Sequence, residues 1–169
     1  MSSLRHGASK LAAPTAIVLA ALFTAAAPAA ASSGWQLVDQ YTARPACYTT
    51  GGGTEYLEIN LNGAWSTSIN TGASNLPAGV SEAGTALITF TNDVVSGQTD
   101  NVPIPPGSSN GTGPITTSPT TYVEGYVLVT VPSGLAANSS FNITLSANDG
   151  TTTQTETVPV DIKTTCRHY

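Results

Sequence analysis

Residues 122–131 read Tyr-Val-Glu-Gly-Tyr-Val-Leu-Val-Thr-Val, the most continuous run of strand-forming residues in the 169-residue chain. Side chains alternate between the faces of an extended backbone, so Val123, Val127, Val129 and Val131 share one side. Tyr122, Tyr126 and Leu128 take the other. Apolar residues on both faces belong to a central strand covered on each side, and Pro132-Ser133-Gly134 ends it.

Working outward, the same period of two recurs on both sides. Downstream, Phe141, Ile143, Leu145 and Ala147 alternate with Asn142, Thr144 and Ser146. Asn148-Asp149-Gly150 then signals a hairpin turn, and Val158, Val160 and Ile162 return inward. Upstream, Thr85–Thr91 places Ala86, Ile88 and Phe90 on one side, and Glu55–Leu61 places Leu57, Ile59 and Leu61 on one side. Asn62-Gly63 reads as a two-residue hairpin turn leading to Trp65, Thr67 and Ile69. Trp35–Thr42 reads as a first strand, and 70–80 as a loop. Residues 92–120 form a long connection in which Val102–Ile104 suits a short edge strand, since proline is tolerated there.

No window carries a 3.6-residue period, and Glu, Lys, Gln and Met are scarce. The pattern predicts an all-β domain: an immunoglobulin-like, two-sheet antiparallel β-sandwich of about seven or eight strands.

Five Lys and Arg stand against ten Asp and Glu. Two of the five cations, Arg5 and Lys10, precede an apolar run, Leu11–Phe23, that is followed by Ala29-Ala30-Ala31. This is the layout of a signal peptide over 1–31, with a single secreted, extracellular domain over 32–169 beginning at Ser32. The apolar run is broken by Pro14 and Thr15 and falls short of the roughly 20 residues that span a bilayer, so no membrane association is expected after cleavage. From residue 32 onward three cations (Arg44, Lys163, Arg167) face all ten acids, a formal charge of −7. That balance excludes nucleic acid as a partner, because phosphate binding needs clustered cations.

An exported chain with two cysteines is expected to oxidise them. A Cys47–Cys166 bond would tie the two ends of the domain together, contributing about 4–5 kcal/mol in the chain-entropy picture. No zinc ligand set, no dense Asp-x-Asp loop and no phosphate-cradling motif is present, so no metal or cofactor is expected. His168 is the one histidine left after cleavage, and its penultimate position suits no rigid Ser-His or Cys-His pair. Glu55 and Glu58 point to opposite faces of one strand, and Asp93, Asp100 and Asp149 sit at turns. No acid pair is singled out, and the protein is read as not an enzyme. Trp65 is read as a core plug rather than a ligand platform.

The alanine-rich leader, Trp35-Gln36-Leu37-Val38-Asp39, Cys47-Tyr48-Thr49-Thr50, Leu76-Pro77-Ala78-Gly79, Pro105-Pro106-Gly107 and Asp149-Gly150-Thr151 before a closing Cys together resemble small secreted actinobacterial proteins of unknown function. The segment from Leu76 onward is similar to bacterial immunoglobulin-like domains that decorate exported proteins. The resemblance implies an accessory, non-catalytic role and supplies no site residue.

The expectation is therefore a secreted module that binds, or serves structurally, at or outside the cell envelope, with cell-wall polysaccharide or an extracellular protein as partner. The alternative is a secreted hydrolase inhibitor presenting the 99–119 loop to a protease. A binding surface is expected on the 100–120 connection, through Asp100, Val102, Ile104 and Asn110, with Tyr122 and Tyr126 as the neighbouring face.

Overall fold

The computed structural model describes residues 34–92 and 94–166. The expected signal peptide, the cleavage point before Ser32, Asp93 and His168 lie outside the described residues. In chain order the strands are β1 (Trp35–Leu37), β2 (Ala46–Thr49), β3 (Gly53–Ile59), β4 (Leu61–Trp65), β5 (Asn70–Ser74) and β6 (Ser81–Thr91). They continue with β7 (Val94–Asp100), β8 (Gly107–Asn110), β9 (Ile115–Ser118), β10 (Thr121–Val131), β11 (Ser140–Asn148) and β12 (Thr153–Lys163).

Two sheets enclose one core. The larger has eight strands in the order β1-β4-β8-β9-β10-β6-β7, with β3 also on β10, and the smaller is β2-β12-β11-β5. Strand β10 is central within its sheet, with β6 along one edge and β3 and β9 sharing the other, but its outer face is not covered throughout as expected, since Tyr122 stays half-buried in an open groove. Leu57, Ile59, Val127 and Val129 of the larger sheet meet Ile143, Leu145, Val158 and Ile162 of the smaller, all nearly inaccessible. Trp65 is buried and donates its indole N–H to the Pro105 carbonyl at 2.9 Å, which makes it the core plug its position predicts.

The all-β sandwich is as expected, but five local expectations are corrected. Among the described residues twelve strands replace the expected seven or eight, because the 92–120 connection contains β7, β8 and β9 and the 70–80 loop contains β5. The sandwich is not wholly antiparallel: β2 runs parallel to β12, pairing Cys47 with Asp161. The first strand ends at Leu37 rather than Thr42, where Asp39 turns the chain by accepting the Thr42 N–H and hydroxyl.

Asn62-Gly63 is not a hairpin turn. It lies inside β4, paired with β1 on one side and β8 on the other. Gly63 has φ +103°, and a Cβ there would overlap the Gly34 carbonyl oxygen, so glycine serves a close crossing of backbones rather than a turn. Ile104 is not a surface residue. Gly125, inside β10, leaves the space that the Ile104 side chain fills, and Ile104 is 1% exposed.

Cys47 and Cys166 are bonded, with Cα atoms 5.7 Å apart. The Asn148-Asp149-Gly150 hairpin turn is also present, closed by Asp149 N–H to the Thr152 carbonyl. Beyond β4, strand β1 is held by a side chain. The Gln154 amide accepts the Leu37 N–H at 2.9 Å and donates to the Trp35 carbonyl at 2.8 Å, so it does for β1 what a neighbouring peptide group would do. Two residues along, the Glu156 carboxylate accepts the N–H groups of Gln40 and Tyr41.

Candidate functional site

Pairing register identifies a row of side chains on the outer face of the larger sheet. Residues directly opposite in antiparallel strands share a face. Ser108 lies opposite Thr116, Thr116 opposite Tyr122, Tyr122 opposite Phe90, and Phe90 opposite Val95. Their neighbours Ile115 and Val123 are buried on the inner side, which fixes the direction of the row as outward.

Four of these residues, Ser108, Thr116, Tyr122 and Phe90, line an open groove of about 700 Å³. The β8–β9 connection completes its wall with Asn110, Thr112 and Pro114. Asn110 shapes that wall itself: its side-chain oxygen accepts both the N–H and the hydroxyl of Thr112. Ser109 braces the same turn by accepting the Gly111 N–H. The groove thus offers two aromatic rings, one proline and a set of hydroxyl and amide groups, with no carboxylate, histidine, lysine or arginine among the described residues of its lining. It can stack and hydrogen-bond. It has no acid–base pair.

A second concavity, of about 550 Å³, lies where the segment 40–44 covers β3 and β10. Tyr41, Arg44, Tyr56, Glu58 and Tyr126 are among its lining residues. The Tyr56 and Tyr126 rings meet edge to face with centroids 5.8 Å apart, and the Tyr126 hydroxyl donates to Glu124 at 2.6 Å. Burial, and then the charge of Glu124, push the Glu58 carboxyl above the ordinary glutamate range. Burial likewise raises the Tyr126 and Tyr41 phenols.

Near the covering segment, Glu156 is 4% exposed. Its Oε2 makes no hydrogen bond among the described residues. Desolvation raises its carboxyl, against the lowering effect of the Gln40 and Tyr41 N–H groups. Asp149 is held below the ordinary aspartate range, first by the Trp35 indole N–H at 2.7 Å and then by the backbone of its own turn. Among the described residues no three His, Cys, Asp or Glu side chains gather into a set able to hold a metal ion.

Of the sequence-predicted surface residues, Asn110 and Tyr122 come together in the first groove, and Tyr126 lies in the second. Asp100 ends β7, exposed and outside both linings. Val102 is half-buried, and its carbonyl faces the Thr85 hydroxyl at 3.5 Å. Ile104 is core. Sequence reasoning missed Phe90 and Thr116 as groove residues, since cross-strand register is not written locally. It also missed the burial of Glu156, although Glu156 shares the inward parity of Val158, Val160 and Ile162. No helix among the described residues is long and apolar enough to cross a membrane. No protein-family model matches this chain, and no curated protein matches it.

Proposed function

We propose that the protein is a secreted, non-catalytic immunoglobulin-like module that binds at or outside the cell envelope through the Phe90–Tyr122 groove. The observation that carries this reading is the outward row itself, with two adjacent rings placed where the core has no use for them and framed by polar, uncharged side chains. Exposed or half-exposed apolar surface organised in this way is a feature of binding sites more than of folding. Among the described residues the lining has serine, threonine and tyrosine hydroxyls but no carboxylate, imidazole or amine to activate them, which supports binding without chemistry. The Cys47–Cys166 bond suits an oxidising compartment.

The inhibitor reading relied on 99–119 as a protruding loop. Within that stretch β8 and β9 pair into the larger sheet, which favours the groove they line over a free loop as the binding surface. The deciding experiment is retention of the purified exported protein on insoluble cell-envelope material. Wild type is retained, and Tyr122→Ala passes through while keeping its near-ultraviolet circular dichroism. Equal retention of both proteins removes the groove from the proposal.

A further inference from the structure

We infer that the groove takes an uncharged polysaccharide whose chain lies across the strands, along the row from Ser108 to Val95. The inference rests on the reading of this groove as the binding surface and adds the chemistry and direction of its occupant.

Charge narrows the ligand first. Among the described residues no charged side chain lines the groove, and the two cations are elsewhere: Arg44 in the second concavity and Lys163 beside Asp161 at 3.3 Å. An anionic polymer would find no counter-charge there and would approach a domain of formal charge −7 over residues 32–169. A cationic ligand finds no carboxylate among the described residues that line the groove.

The polar groups narrow it further. The hydroxyls of Ser108, Thr116 and Tyr122 make no side-chain hydrogen bond among the described residues, and each both donates and accepts. Ligand hydroxyls match that double capacity. Tyr122 and Phe90, directly opposite one another in register, both line the groove, and aromatic groups of this kind take the flat C–H faces of sugar rings as they take other apolar faces. Peptide binding by strand addition needs an unpaired strand edge. At the groove β8, β9, β10 and β6 are each paired on both sides.

Length supplies the direction. Strands are spaced about 4.8 Å apart, so a row over five strands extends about 19 Å, more than one sugar ring occupies. Exposed Val95, 62% accessible, prolongs the apolar track beyond the rings. The site is therefore a track for an oligomer.

The test is affinity electrophoresis of the exported protein in gels containing neutral β-glucan, xylan or soluble chitin, beside gels containing polygalacturonate. At least one neutral polymer retards wild type, equally at low and high salt. Tyr122→Ala weakens that retardation about tenfold, and Tyr122→Phe keeps most of it. Ser108→Trp, which blocks the groove from an exposed strand position, reproduces the loss with Tyr122 retained. Thr157→Ala on the smaller sheet changes nothing. Retardation by polygalacturonate alone, abolished by salt, overturns the inference. So does a monosaccharide that competes as well as the polymer. If envelope retention needs Tyr122 but no neutral polymer binds, the groove stands and the polysaccharide falls. If retention ignores Tyr122, the underlying reading falls instead.

Discussion

The outer faces of the two sheets are built from different materials. On the smaller sheet Thr144 stands opposite Thr157 and Ser146 opposite Thr155, with Asn142, Asp161 and Lys163 nearby. On the larger sheet the corresponding positions carry Tyr56, Ile88, Phe90, Tyr122, Tyr126 and Leu128. Both sheets bury the same kind of inner face. Since the smaller sheet folds with hydroxyls facing water, a solvated outer face costs this architecture little, and the aromatic outer face of the larger sheet answers to something besides core formation.

The comparison can be broken or sharpened by substitution. The largest effect belongs to the disulfide, which spans 119 residues and anchors β2 to the end of β12. Replacing both Cys47 and Cys166 by Ser is expected to cost about 4–5 kcal/mol, read by denaturant unfolding, with amide protection falling in β2 before β10. Next is the inner face. Leu145→Ala leaves a cavity between the sheets and costs about 2–5 kcal/mol, read the same way.

Glu156 follows, and its sign is defined. Its carboxyl is raised above the ordinary 4.5, so the folded protein holds the proton to higher pH than the unfolded chain does. Stability contributed at this site therefore falls as pH climbs from that ordinary value through the raised one. Glu156→Gln removes the group, and the melting temperature of the variant relative to wild type rises over the same interval. A constant difference from about pH 4 to pH 7 contradicts this assignment.

The outer faces give the smaller effects. Tyr122→Ala uncovers a half-buried ring and costs about 1 kcal/mol of stability, comparable to the roughly 1.4 kcal/mol that a tenfold loss of binding represents. Thr144→Ala, on the same strand as Leu145 but facing water, stays within about 0.5 kcal/mol. A Tyr122→Ala loss as large as that of Leu145→Ala would make the aromatic face structural and erase the distinction between the two sheets.

Legibility in the sequence followed the same division. Strands β10, β11 and β12 could be read because Val, Ile and Leu alternate there with Thr, Asn and Ser. Strands β5, β7, β8 and β9 could not, because Thr, Ser, Gly and Asn occupy both faces and β7 is exposed along its whole length. Gly63 misled because a glycine that permits a backbone crossing looks locally like one that permits a turn. Asn110 and Tyr122 were identifiable as surface residues. Their partners Phe90 and Thr116 were not, because a groove across strands depends on which strands are neighbours, and that is decided by long-range pairing.

The clasp of Gln154 and Glu156 on residues 35–41 bears on the order in which the fold is completed. These bonds join residues separated by 115–119 positions. The parallel pairing of β2 with β12 is equally remote. A chain synthesised or threaded through a pore from its N-terminus delivers β1, β2 and Cys47 first and their anchors last. Strand β1, paired with β4, lacks its second partner until β12 arrives, and loop closure over that distance is slow. Arrival of the last strand thus completes the smaller sheet, and a chain held short of residue 154 lacks the side chains that clasp its leading segment.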